Sequence, residues 1–212
     1  MTCWVGFAVV FCMLNFLVSA RAGAVRLNAR VGLGRATLHR RFMAARDSVV
    51  VEDGTGCHLV TCKSEEEIED LGARLSMVTT VGDVLLLRGD LGAGKTTLAR
   101  GLIRHKFSDE SMRVTSPSYL LDNSYEYGEN QVIHHMDLYR LPTGCDLSLL
   151  GIPGIFSTCL CVIEWPQRMG GKLPEEYLDV DMTIGQDEVR HIRLTPSSAK
   201  WQEALSRAFQ EL

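Results

Sequence analysis

Gly89-Asp90-Leu91-Gly92-Ala93-Gly94-Lys95-Thr96-Thr97 fits the pattern G-x-x-x-x-G-K-[ST], and the residues on either side supply the elements this pattern needs. Just upstream, Val84-Leu85-Leu86-Leu87 is a short apolar run of the kind that forms a strand buried on both faces. Downstream, Leu98, Leu102 and Ile103 recur at helical spacing. The reading is therefore strand, glycine-rich loop, helix. Glycines at 89, 92 and 94 allow positive φ and close approach of an anion, so successive amides can point at phosphate oxygens. The first amides of the helix are unpaired, and its dipole adds partial positive charge at the same end. In that chemistry the stretch Asp90, Leu91, Gly92, Ala93, Gly94, Lys95, Thr96 and Thr97 wraps a nucleoside triphosphate. Lys95 reaches its outer phosphates, and the Thr96 hydroxyl is a ligand of Mg²⁺.

Composition sets the frame. The chain has 212 residues, 46% of them hydrophobic, enough for one ordinary globular domain with extensions. The net charge of -4 conceals an asymmetry, because the first 46 residues hold seven arginines and no Asp, Glu or Lys. The rest keeps 15 basic against 26 acidic residues, about -11, which argues against broad unaided binding of nucleic acid. Seven cysteines form no C-x-x-C pair and are odd in number, so a disulfide framework is not expected. Cys159 and Cys161 alternate along an apolar run and should share one face of a strand.

The first 46 residues read as an address. Trp4 to Val18 is uncharged and apolar, and Val18-Ser19-Ala20 offers small residues for cleavage, so residues 1–20 resemble a signal peptide. Fifteen apolar residues fall short of a membrane span. Residues 21–56 are assigned to an Arg-rich, acid-free transit-like segment and a linker. This two-part leader favours a plastid over a mitochondrion, with no stable membrane association once it is removed.

The expected domain covers residues 57–212. Its elements are a first strand at His58 to Thr61, a helix capped by Ser64 with Glu67 completing a capping box, and the glycine-rich loop unit. Strands follow at Gln131 to Met136 and Leu160 to Ile163, then a hairpin over 178–194 and a last helix from about Ser197. In open parallel sheets ligands gather at the carboxyl ends of strands. Asp137 and Glu164 occupy two such ends. His134 and His135 read more readily as packing or hydrogen-bonding residues than as metal ligands. The fold class is α/β: a P-loop NTPase with a mostly parallel central sheet flanked by helices, plus a C-terminal hairpin and helix.

Taken together, GDLGAGKTT (89–97), VTSPSY (114–119), HMDLYRL (135–141) and IEWP (163–166) resemble the TsaE (YjeE) family, the ATPase component of tRNA threonylcarbamoyladenosine synthesis. The resemblance spans residues 57 to 196. It implies that Lys95 and Thr96 bind phosphates and Mg²⁺, that Ser118 approaches the metal or γ-phosphate, and that Asp137 is a second metal anchor. It also implies that Glu164 orients the attacking water beside the metal and that Trp165 packs at the nucleotide or partner surface. The implied catalytic set is Glu164, Lys95 and Asp137, the metal set Thr96, Ser118, Asp137 and Glu164, and the cofactors ATP and Mg²⁺. The implied partners are the threonylcarbamoyl transferase and its companion subunit, with tRNA met only through them. Three positions depart from the family: Ser118 replaces a Thr, Ile68 replaces a helix Thr, and Gly144-Cys145-Asp146 stands in a loop usually richer in Glu. Two other classes share the glycine-rich loop: a small-molecule kinase, with Gln167 to Lys172 as a short lid, and a nucleotide-gated binding module without turnover.

Overall fold

In the computed structural model, which describes residues 50–52, 54 and 56–210, the apolar run at Val84 lies in the middle of an eight-stranded sheet. The strands are β1 (Val50–Glu52), β2 (His58–Cys62), β3 (Val84–Gly89), β4 (Asp122–Tyr127), β5 (Gln131–Asp137), β6 (Leu160–Glu164), β7 (Leu178–Ile184) and β8 (Arg190–Pro196). The helices are α1 (Glu65–Val78), α2 (Lys95–Phe107) and α3 (Ala199–Phe209). Strand order is β1-β2-β8-β7-β3-β6-β5-β4. The four central strands β7, β3, β6 and β5 run parallel, while β4 on one side and β8, β2 and β1 on the other are antiparallel to their neighbours. Every residue from Val84 to Leu87 and from Leu160 to Glu164 is buried, as parallel strands covered on both faces require.

The two faces are covered differently. Apolar residues of all three helices join one cluster with Leu85, Leu87, Val162 and Val180 of the central strands. The opposite face, with Val84, Leu86, Cys161 and Ile163, is covered by Leu138, Leu147, Ile152, Phe156 and Met169. The expectation of helices flanking the sheet thus needs correction: the second layer is an irregular segment with short helical turns at 148–150, 154–157 and 166–169. Pro142, Pro153, Pro166 and several glycines punctuate that segment and prevent a long helix. Cys159 and Cys161 do share a face, within this second cluster.

Local signals and structure agree at α1. Ser64 caps it, its Oγ accepting from the Glu67 amide at 3.2 Å, and Glu67 reaches back to accept from the Lys63 amide at 2.7 Å. Two elements lie beyond the expected set. β1 pairs with β2 upstream of Cys57, so the sheet begins earlier than that residue. β4 forms a hairpin with β5 through a turn in which Gly128 and Asn130 take positive φ. Residues 1–49, which carry the signal-like stretch and most of the transit-like stretch, lie outside the described residues. Among the described residues no helix is long and apolar enough to cross a membrane.

The loop-bearing helix α2 is pressed against α1. A Cβ on Gly101 would stand 2.0 Å from the Glu69 carbonyl oxygen, and one on Gly72 would stand 2.1 Å from that of Leu98. Across the same contact the Glu69 carboxylate accepts from Arg100 at 3.0 Å and Arg104 at 3.1 Å. Gly101→Ala should therefore cost about 2 kcal/mol or more by overpacking, measurable as a lowered midpoint in urea. Burial pushes the thiols of Cys62 and Cys161 up to about 12. Peptide mapping after brief alkylation of the native chain at pH 8 should find these two unmodified and the half-buried Cys57 and Cys145 labelled first.

Candidate functional site

The carboxyl ends of the parallel strands form a row, because register sets Leu87 opposite Glu164 and Glu164 opposite Asp137. Beyond Leu87 the chain reverses into α2. Gly89 has φ 129° and a Cβ there would meet the Met182 carbonyl oxygen at 2.3 Å, so only glycine fits beside β7. Gly94, at φ 104°, is the N-cap of α2 and has no side chain with which to occupy the first amides. Those donors remain directed at the open side of the loop.

A cavity of about 270 Å³ lies there. One wall is Leu91, Gly92, Gly94, Lys95, Thr96 and Thr97, and the facing wall is Ser116, Asp137, Glu164 and Trp165. Glu65, Ile68 and Arg190 close the end nearest α1 and the β7–β8 hairpin. Of the loop residues expected at the site, Ala93 instead turns its methyl into the core and is fully buried, while Asp90 contributes its carbonyl to Lys95.

Four ionisable side chains, Lys95, Asp137, Glu164 and His135, are buried here. Lys95 donates from Nζ to the carbonyls of Gly89 at 2.8 Å and Asp90 at 2.7 Å, and the Trp165 ring lies 4.3 Å from that ammonium. Burial pulls the Lys95 pKa below its ordinary value, opposed by the carboxylates of Glu164, Asp137 and Asp90. Asp137 accepts from the Ser116 hydroxyl at 2.9 Å and from the Tyr139 amide at 3.0 Å. Glu164, 3% exposed, accepts from the Thr96 hydroxyl at 2.8 Å, and His135 Nε2 stands 2.9 Å from the same Oε1. Trp165 follows with φ 61°, a left-handed conformation rare for a bulky residue, and its ring packs against that of Tyr139, tilted by 47° with centroids 4.7 Å apart.

The structure thus gathers Lys95, Thr96, Asp137, Glu164 and Trp165 from three separate stretches of sequence. It does not bring Ser118 to the cavity; Ser116, two residues earlier in the same loop, takes that place and touches Asp137. Both His134 and His135 are hydrogen-bonding residues, His134 Nδ1 lying 2.7 Å from Asp122. The contact of His135 with Glu164 was readable in outline, since position 135 shares a strand face with Asp137. Arg190, whose guanidinium donates to the Gly92 carbonyl at 3.3 Å, carried no signal in its local sequence. The stretch Gln167 to Lys172 does not line the cavity; Arg168 and Lys172 tie it to Thr143 and Cys145 instead.

Chemically, the donors around Thr96 are hydroxyl and carboxylate oxygens, the set that suits a hard divalent cation. Among the described residues no group of three or more His, Cys, Asp or Glu could hold a metal alone. A cation held here would take the rest of its shell from water or from a bound anion, as Mg²⁺ does beside phosphates.

The chain is similar to known proteins. Residues 62–192 match the family model described as Threonylcarbamoyl adenosine biosynthesis protein TsaE. The chain is 39% identical over 141 residues to the tRNA threonylcarbamoyladenosine biosynthesis protein TsaE of a Nostoc species, covering 62% of this chain and 82% of the relative. It is 34% identical over 147 residues to that of Streptomyces coelicolor, covering 65% and 95%. The crystal structure of Bacillus subtilis YdiB superposes with a TM-score of 0.61 at 23% identity, over 77% of this chain and 97% of that one, and so shares the fold. Matched by the family model over more than half its length, the chain belongs to the TsaE family.

Proposed function

We propose that this protein binds ATP with Mg²⁺ in the cavity between the glycine-rich loop and Glu164, hydrolyses it, and thereby supports the synthesis of threonylcarbamoyladenosine in tRNA. The observation that carries this reading is the part-buried Thr96–Glu164 contact, which joins a residue of a phosphate-type loop to a carboxylate at a strand end. The pathway is that of the relatives, which are tRNA threonylcarbamoyladenosine biosynthesis proteins.

Within this reading the amides at the start of α2, which no side chain caps, cradle the β- and γ-phosphates. Lys95 exchanges its two carbonyl partners for phosphate oxygens. Thr96 and Asp137 hold Mg²⁺, directly or through water, with Ser116 keeping Asp137 in place. The cation, when bound, neutralises charge on the transferring phosphoryl group. Glu164 orients the attacking water and accepts its proton, a role for which its burial excludes competing solvent.

The partners we propose are the threonylcarbamoyl transferase and its companion subunit. Support comes from Leu91 at the cavity and from Tyr119 and Leu120 in the loop that carries Ser116, which are 78%, 83% and 75% exposed, with the Arg140 guanidinium 4.3 Å over the Tyr119 ring. Large side chains exposed beside a nucleotide site suit a surface that another subunit covers. ATP turnover would reset the transferase complex, and tRNA would be met only there. The Arg-rich composition of the first 46 residues supports delivery to a plastid.

Lys95→Ala should weaken ATP binding about 10- to 100-fold by calorimetry, the loss of a charge-assisted contact; unchanged affinity would remove phosphate binding from this loop. Glu164→Gln should keep ATP affinity within about threefold and lower turnover by about 10²-fold or more. Comparable turnover in that variant would leave a nucleotide-gated binding module as the better description. Capture of the transferase by the full chain, stronger with ATP and Mg²⁺ than without, tests the pathway assignment.

A further inference from the structure

His135 is wholly buried and lies on the α2-facing side of β5, two residues before Asp137. Its Nε2 is 2.9 Å from Glu164 Oε1, and its Nδ1 has no hydrogen-bond partner among the described residues. An ionised carboxylate offers only acceptors, so the hydrogen in this contact belongs to the imidazole. Placing it on Nε2 leaves at Nδ1 an unpaired acceptor. A hydrogen on Nδ1 would instead leave a buried donor facing nothing, while Nε2 opposed Glu164 lone pair to lone pair. Of the two tautomers the contact therefore selects the one carrying Nε2–H.

The same Oε1 also accepts from Thr96, whereas Oε2 receives no hydrogen bond among the described residues. Resting on the function proposed above, Thr96 has a second duty: its hydroxyl must serve the cation. When it turns away, Glu164 loses one of its two anchors. We propose that His135 is the positioning residue that keeps Glu164 in place through that exchange, its Nε2–H holding Oε1 while Oε2 stays available to the attacking water. His135 touches neither nucleotide nor water; it acts through Glu164.

Two measurements test this on the full chain. In ¹⁵N spectra of the imidazoles without nucleotide, His135 should show the Nε2–H tautomer, and Glu164→Ala should shift that signal more than any other histidine's. A Nδ1–H tautomer, or no response to Glu164→Ala, overturns the proposal. In ATP turnover, His135→Phe keeps a ring but loses the donor; kcat should fall about 10- to 100-fold with KM for ATP within about threefold. His135→Gln, which restores an N–H donor on a side chain of similar reach, should recover most of that loss. Wild-type kcat in a folded His135→Phe, or failure of His135→Gln to recover activity despite a native melting temperature, overturns the assignment. If the wild-type chain binds ATP without hydrolysing it, the proposed function fails. The pairing is then decided by the spectra alone, Nε2–H supporting it and Nδ1–H overturning it.

Discussion

Everything at the functional end of this molecule depends on how the chain leaves β3. The strand ends between β6 and β7, with β7's Met182 carbonyl so close to Gly89 that a Cβ there would overlap it. The chain therefore turns at glycines, Gly89 and Gly92 taking positive φ and Gly94 delivering it into α2 with φ 104°. That reversal fixes three things at once. It leaves the first amides of α2 unfilled, turns Lys95 back over the loop carbonyls, and sets Thr96 against the end of β6. The close contact of Gly72 and Gly101 then holds α2 at the depth where Thr96 meets Glu164. A shift of α2 by one methyl group would open that hydrogen bond.

The second constraint is electrostatic. Lys95, Asp137 and Glu164 are all at most 5% exposed, and a buried charge without partners costs several kcal/mol. Each is answered by polar groups close in space: two carbonyls of its own loop for Lys95, Ser116 and the nearby Tyr139 amide for Asp137, and Thr96 and His135, both remote in sequence, for Glu164. Structural ion pairs elsewhere, such as Arg88 with Asp179 or Lys200 with Asp83, join acid directly to base. In the cavity Lys95 and Asp137 rest instead on neutral donors and acceptors. That arrangement suits a site whose charges must re-pair with a ligand, because exchanging a neutral partner does not strand an opposite charge.

The same physics explains what could be read from sequence. β3 and β6 are continuous apolar runs, α1 carries its cap and its 68, 71, 75 stripe, and the loop has fixed glycine chemistry, so their type and order were legible. β4 was not: Asp122-Asn123-Ser124-Tyr125-Glu126-Tyr127 is an edge strand held by pairing with β5 and by Phe107 of α2 packing on Tyr125 and Tyr127. Only the alternation of those tyrosines hinted at it. The cover on the second sheet face was illegible for a related reason, since its apolar residues Leu147, Ile152, Phe156 and Met169 are spaced by prolines and glycines rather than by a helical period. At the site, Glu164 and Asp137 were visible as polar residues ending apolar strands. The choice between Ser116 and Ser118 was not, because a loop has no period to say which hydroxyl faces inward.

Trp165 joins these threads. Glu164 ends β6 fully inside the sheet, yet the next residue must return over the cavity, and it does so through a left-handed turn fixed by its amide bonding the Leu87 carbonyl at 3.1 Å and by Pro166 beyond it. A bulky residue in that conformation costs about 1–3 kcal/mol, which the surrounding strand ends must over-determine. The indole then lies against both the Lys95 ammonium and the Tyr139 ring. In the proposed function a phosphate reaching Lys95 has to draw its Nζ away from Gly89, Asp90 and the indole together. Trp165, Tyr139 and the adjacent Arg140–Tyr119 pair form a connected layer from that ammonium to the exposed rim. Occupation of the cavity would therefore be felt at the surface where the proposed partner docks, through residues already in contact.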